Sequence, residues 1–212
     1  MTSTTCPSLT QPQLGALAKI TCGIESRSGI ALLCGPSGVG KTTVLQHLAA
    51  DLQTEDPGCA VRSVNDWLDD DEFPSVVIAD DAHMAPDADL IRLATVCRTR
   101  HPSAALVLAG QGRLLTLVAR DRRLEQATKL TAAILTGHLD DTAVLVHRHA
   151  DGLMVDEASI TAIHEITGGV PAEVLRLVNL ARVVAGSGSG RDGRLSPGTI
   201  EMIHRRLSPR AA

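Results

Sequence analysis

The sequence predicts an α/β layer followed by a separate helical subdomain. Three observations carry this. Short apolar runs that end in turns alternate with helical repeats over residues 1–136. A glycine-rich turn at 35–42 joins one apolar run to an amphipathic repeat. After residue 136 the strand pattern stops and only helical repeats remain, so the boundaries are 1–136 for the core and 137–212 for the helical part.

The elements follow in order. Thr10 reads as an N-cap with Gln13 as its capping-box partner, and Leu9 and Leu14 stand at the staple positions. Leu14, Leu17, Thr21 and Ile24 then form one face of a first helix reaching about Ser26. Ile30–Cys34 is a buried strand, and Val44, Leu45, Leu48 and Leu52 repeat at helical spacing. Ala60–Val64 and Ser75–Ala79 are the second and third strands, running almost directly one into the next. Leu90, Ile91, Ala94 and Cys97 mark a helix, Ala104–Ala109 a fourth strand, Leu114–Ala119 a helix and Ala132–Leu135 a short fifth strand. Helices follow at 140–150, 156–167, 171–185 and 197–207. Asp156 caps the second of these with Val155 and Ile160 as its staple, Gly168–Gly169 ends it, Pro171 opens the third, and Ser196–Pro197 opens the fourth. Gly186–Gly193 reads as a flexible loop.

Composition narrows the class. The chain has 212 residues, 44% apolar and 21% charged, an ordinary globular balance that excludes the disordered class. No uncharged apolar window is long enough for a membrane helix, and the first residues lack the basic start and apolar stretch of a secretory signal. The expectation is a cytoplasmic protein without membrane insertion. Five cysteines (Cys6, Cys22, Cys34, Cys59 and Cys97) form no CxxC pair, and the eight histidines show no metal-ligand grouping. The net charge of -4 argues against a general nucleic-acid binder, but charge is uneven. Nine acids and no lysine or arginine occupy Asp66–Asp89, whereas Arg92–Arg123 holds seven arginines and one acid. That arginine stretch is either a solvated face or a surface meeting a neighbouring copy or a polyanion. With aromatics at 1%, base stacking on single-stranded nucleic acid is almost unavailable.

The chemistry sits in two places. Gly35-Pro36-Ser37-Gly38-Val39-Gly40-Lys41-Thr42 matches GxxxxGK[ST] between a strand and a helix, the context that a phosphate-binding loop requires. Backbone amides curl around a phosphate where glycines take conformations that other residues resist, and the helix start adds its positive end. Lys41 would reach the β- and γ-phosphates of ATP, and the Thr42 hydroxyl would ligate Mg²⁺. Further on, the apolar run 76–79 ends in Asp80–Asp81. A carboxylate at the carboxyl end of a parallel strand faces the same crevice as such a loop. Asp80 would hold Mg²⁺ through its water shell, and Asp81 would orient or deprotonate an attacking water. The acidic run 69–72 reads as a solvated loop.

Three stretches, GIESRSGIALLCGPSGVGKTTVL at 23–45, VVIADDAH at 76–83 and LVLAGQGRLLTLVARDRRLEQ at 106–126, resemble the AAA+ P-loop ATPases of the general secretion pathway protein A (ExeA-like) group. ITGGVPAEVLRLVNLA at 166–181 is similar to the start of that group's lid helix. The resemblance implies a P-loop NTPase core with a five-stranded parallel sheet in the order 5-1-4-3-2 and a small helical lid closing over ATP. It also implies a sensor role for Gln111, a place near the α-phosphate for Thr43, and an adenine wall from Leu9–Ile24. The chain departs from the group in four ways: Asp81 stands where a glutamate is usual, Ala172 rather than an arginine follows Pro171, Lys129 replaces an arginine before the fifth strand, and the segment between the second and third strands is short. Arg122 and Arg123 are then the candidates for a finger reaching a neighbour's γ-phosphate, with Arg123 preferred. Together these point to an ATP hydrolase that couples ATP to conformational change or to assembly with a protein client, working as a nucleotide-dependent homo-oligomer. Two alternatives stay open: a DNA-associated ATPase of the transposition-regulator type, with nucleic acid the less favoured partner, and a nucleotide-binding scaffold that hydrolyses little.

Overall fold

The computed structural model describes residues 9–25, 29–70, 72–184 and 194–207. Cys6 and the loop expected at 186–193 lie outside the described residues. The chain divides into two compact units, Met1–Leu135 and Thr136–Ala212.

In the first unit, strands β1 (Gly29–Cys34), β2 (Val61–Arg62), β3 (Val76–Ala79), β4 (Ala105–Gly110) and β5 (Thr128–Ala133) form one sheet. Its order is β2-β3-β4-β1-β5, with every neighbouring pair parallel. This is the order 5-1-4-3-2 that the resemblance implied. Its central strands β3, β4 and β1 are buried on both faces, which is why they are continuous apolar runs rather than alternating ones. Successive residues point to opposite sides and so supply two cores. Ile30, Leu32, Cys34, Val77, Ala79, Leu106 and Leu108 belong to one. They share it with α3 (Val64–Leu68), α4 (Asp87–Arg100), α5 (Gly112–Arg120) and α6 (Arg122–Ala127). Ala31, Leu33, Val76, Ile78, Ala105, Val107 and Ala109 belong to the other, with α1 (Gln11–Glu25) and α2 (Lys41–Leu52).

Several expectations need correction. The buried stripe of α1 is Gln13, Ala16, Ile20 and Ile24. Leu14, expected in that stripe and in the staple, is 44% exposed. The helix is rotated because the Gln13 amide is drawn inward to a buried partner. The second strand shrinks to two residues, and Ser63 instead caps α3, accepting a bond from the Asp66 amide while the Asp66 carboxylate accepts one from the Ser63 amide. That helix sinks Trp67 into the core, where its Nε1 donates to Ile78 O at 2.8 Å. The fifth strand begins four residues before its expected Ala132 start, at Thr128. Its first residues are half-buried Thr128, exposed Lys129 and half-buried Leu130 on a sheet edge, so no apolar run announces them. A helix not expected between Ala119 and the fifth strand, α6, opens at Arg122 and Arg123, and Asp121 caps it through the amides of Arg123 and Leu124.

The second unit holds α7 (Leu139–His149), α8 (Glu157–Thr167), α9 (Pro171–Val184) and α10 (Pro197–Leu207). Their core gathers Leu145, Val146, Ile160, Ile163, Val174, Leu177, Val178, Ile200 and Ile203. A parallel pair, β6 (Met154–Val155) with β7 (Arg194–Leu195), was not expected; two-residue strands carry no periodicity to read. Asp156 caps α8 at the Ser159 amide, and Ser196 accepts from the Thr199 amide at the start of α10. The double glycine after α8 has a steric cause. Gly169 has φ 68°, its carbonyl accepts the Gly137 amide at 2.9 Å, and a Cβ there would overlap the Gly137 carbonyl oxygen. No helix among the described residues is long and apolar enough to cross a membrane.

Candidate functional site

Sheet order and register put three strand ends side by side. β4 lies between β3 and β1, pairing Cys34 with Gly110 and Leu108 with Ala79. The loop 35–40 leaves β1, Asp80–Asp81 leave β3, and Gln111 leaves β4, all at the carboxyl edge of the sheet.

The loop is built around two left-handed glycines, Gly38 at φ 80° and Gly40 at φ 93°. Gly40 is also confined from outside, since a Cβ there would overlap the Gln13 amide nitrogen. Gly40 caps α2 without a side-chain bond, so the first amides of that helix face the loop with no capping side chain. Val39 is fully buried and anchors the turn, while Pro36 and Ser37 are exposed. Lys41 is only 7% exposed, and its Nζ donates to Gly35 O at 3.0 Å and Pro36 O at 2.8 Å. The ammonium group therefore lies folded along the loop, satisfied by carbonyls that an anion would replace. Burial pushes the Cys34 thiol below the loop upward, with the Lys41 charge opposing.

Thr42 Oγ1 donates to Asp80 Oδ2 at 2.5 Å, joining residues 38 apart in sequence. The other Asp80 oxygen accepts the Asp81 amide at 2.8 Å. Asp81 has φ 46°, a left-handed conformation that aspartate tolerates better than most residues, and its carboxylate is exposed. Gln111 is the exposed N-cap residue of α5, with a side chain that makes no capping bond. Thr43 is half-buried in the first turn of α2. A hydroxyl and a carboxylate touching at the mouth of a glycine loop, beside a buried ammonium, form a donor set that fits a phosphate chain with a hard divalent cation. Lys41, Thr42, Asp80 and Asp81 are thus brought together, with Gln111 on the adjacent strand end. Arg123 is elsewhere, exposed at the first turn of α6 and lining a groove of about 270 Å³ with Ile91, Thr95 and Arg98 of α4. A larger cavity of about 500 Å³ opens at the opposite end of the sheet, between Gly29, Cys97, Arg98 and Lys129. Its lining holds Arg98, Gln126 and Lys129 but no carboxylate or hydroxyl to hold a cation, so the loop end is the candidate site.

The sequence does not announce the roles of two residues at this site. Gln13 reaches from α1 to the loop, with Nε2 donating to Val39 O at 2.8 Å and Oε1 accepting the Thr10 amide at 2.9 Å. Only the second of these bonds had a sequence signal, the capping box. His83, the last residue of the stretch VVIADDAH, is buried beyond Asp80–Asp81 in a 3₁₀ turn Ala82–Met84, and its spacing alone gives it no role.

The fold and loop together define the class: the first unit has the parallel α/β fold, with its glycine loop after β1, seen in the AAA+ P-loop structures below, and a helical unit follows it. A sequence-family model described as RNA helicase matches residues 31–108. Among solved structures, the chain is similar to the Thermotoga maritima RuvB Holliday junction branch migration motor. The TM-score is 0.70 at 16% identity, covering 94% of this chain and 70% of that one. It is also similar to the Aeropyrum pernix ORC2 protein, solved as ADPNP–ADP complexes, with TM-score 0.62, 16% identity, and coverage of 93% and 68%. The FIGL-1 AAA domain gives TM-score 0.63, 16% identity, and coverage of 95% and 82%. No curated protein matches the sequence significantly.

Proposed function

We propose that this chain is an ATP-binding and ATP-hydrolysing AAA+ type ATPase that uses nucleotide to drive conformational change or assembly with a partner. The observation that carries the reading is the 2.5 Å bond between Thr42 and Asp80. The sequence named both residues independently as metal ligands, and the fold closes the long gap between them. The ADPNP–ADP complexes of the similar ORC2 protein add support for a nucleotide. Residues 35–43 would hold the phosphates, with Lys41 leaving the loop carbonyls for the β- and γ-phosphate oxygens. Thr42 and Asp80 would hold Mg²⁺, which when bound supplies neutralisation of phosphate charge. Asp81 would orient the attacking water, and Gln111 would sense the γ-phosphate end. Arg123 would act on a neighbouring copy, which makes a nucleotide-dependent homo-oligomer part of the proposal. The stretches that resemble the secretion group favour a protein client of that kind.

A calorimetric titration with ATP and Mg²⁺ tests the core of this. Lys41→Ala removes a charge-assisted contact, so affinity should fall by about tenfold to a hundredfold. Equal affinity for the two proteins would overturn the reading. A second reading, a nucleic-acid-associated ATPase, draws on the seven arginines between Arg92 and Arg123, all of them surface residues although Arg113 is engaged by His83 O and Asp87. The RNA helicase match and the branch migration motor point the same way. Its mark would be ATP-dependent DNA or RNA binding that weakens steeply with salt.

A further inference from the structure

Among the described residues, one buried side-chain polar atom has no hydrogen-bond partner: Nδ1 of His83. The His83 side chain is 9% exposed, and a ring nitrogen sealed from water without a partner is destabilising unless it serves something. The charged group the structure places against it is the Asp81 carboxylate, whose Oδ1 lies 3.9 Å from Nδ1, beyond hydrogen-bond reach.

The two sides of that gap differ in freedom. His83 is fixed on several sides. Its carbonyl accepts a bond from Arg113 at 2.7 Å, and Gly110 packs so closely that a Cβ there would sit 3.1 Å from the His83 Cβ. Arg113 is held in turn by Asp87 at 3.7 Å and sits on α5, the helix that opens behind Gln111. The backbone of Asp81 is also fixed, by its amide bond to Asp80 and by its carbonyl, which accepts the Met84 amide at 2.8 Å. Its carboxylate, 70% exposed, is the free member. A rotation of that carboxylate closes the gap, and the ring does not have to move.

We infer that His83 is a positioning residue for Asp81: its buried Nδ1–H donates to the Asp81 carboxylate and holds it in one orientation toward the attacking water. This rests on the water-orienting role given to Asp81 above. It assigns a function to a side chain that the proposed chemistry otherwise leaves unused. It also links the end of β3 to the β4–α5 junction, because the same turn is clamped by Arg113.

The test uses the full chain and exploits imidazole geometry. An asparagine amide nitrogen falls near the place of Nδ1, and a glutamine amide nitrogen near that of Nε2. With saturating ATP and Mg²⁺, His83→Gln should lower kcat by about tenfold with ATP affinity unchanged within about twofold. His83→Asn should recover most of that loss. In an Asp81→Asn background, His83→Gln should cause no further loss, the coupling expected of residues acting through one another. His83→Asn as slow as His83→Gln, independent losses in the double variant, or a loss of ATP affinity in place of kcat would each overturn the inference. If His83→Gln does not fold, imidazole ¹⁵N spectra of the unmutated chain and of Asp81→Gly decide, since glycine removes the acceptor and tolerates the left-handed backbone at this position. An Nδ1-protonated tautomer that Asp81→Gly abolishes supports the contact, and a ring indifferent to Asp81→Gly refutes it. Absent turnover in the unmutated chain would overturn the ATPase reading itself, while the spectra would still report whether the contact exists.

Discussion

The Gln13 tether gives the sharpest stability prediction. Its side chain spans two buried groups, the Thr10 amide on one side and the Val39 carbonyl on the other, at 2.9 and 2.8 Å. Val39 is fully buried and Thr10 is 6% exposed, so water does not replace either partner readily. Gln13→Met keeps the length and volume of the side chain and deletes both bonds. A buried donor or acceptor left unpaired costs about 1–3 kcal/mol, so the pair amounts to about 2–4 kcal/mol once partial relaxation at Thr10 is allowed. Trp67 is the sole tryptophan of the chain and is buried in the first unit, so its fluorescence reports that unit alone during urea unfolding. With a urea slope of about 2 kcal/mol per molar, the midpoint should fall by about 1–2 M. A midpoint within about 0.3 M of the unmutated chain would refute the tether, because it would mean that repacking satisfies both groups without the amide.

Three further expectations are direct. Asp81→Asn, which keeps a residue type at home in the left-handed region, should lower turnover at least about tenfold while ATP affinity stays within about twofold, read by steady-state kinetics beside calorimetry. Specific activity should rise with protein concentration, and a mixture of Asp81→Asn and Arg123→Ala proteins should recover activity that neither has alone; concentration-independent turnover by a monomer in saturating ATP excludes the trans arginine. Of the four described thiols, exposed Cys22 should alkylate quickly near pH 8. Cys34, Cys59 and Cys97 should wait for unfolding, because burial raises all three, Cys97 to about 11, and mass spectrometry against urea reads the order.

The fold was legible where burial on both faces wrote apolar runs into the sequence. The expected strands 30–34, 75–79 and 104–109 lie at the centre of the sheet and match the observed ones to within a residue. The edges were not legible. β2 has two half-buried residues, and β5 begins with half-buried Thr128 and exposed Lys129, so neither carries a pattern of its own. The strand order itself came from the resemblance, since pairing is a long-range property that periodicity does not encode. Of the site, the glycines, Lys41, Thr42 and the acidic pair were legible because local geometry demands those residue types. Gln13 and His83 were not, because their roles depend on which distant backbone group each one meets.

Those two residues show how the site is held in place. The 35–42 loop is fixed from the α1 side by Gln13 at Val39, and the acidic pair is clamped on the α5 side by Arg113 at the His83 carbonyl. Between them, Thr42 and Asp80 touch directly, and Lys41 is occupied by its own loop carbonyls. Every polar group expected to engage phosphate or metal is therefore either satisfied within the protein or exposed at the mouth of the loop. Outside that set, His83 Nδ1 is the buried side-chain polar atom without a partner among the described residues, and the group beside it is the one proposed to orient water. A ligand entering the loop has to displace bonds that already exist, so binding should be selective for groups that repay them, a polyphosphate with its divalent cation rather than a single anion. Inorganic phosphate should accordingly bind far more weakly than ATP with Mg²⁺ in the same calorimetric titration. Comparable affinities would mean that the loop is a simple anion cradle and that the Thr42–Asp80 contact takes no part in recognition.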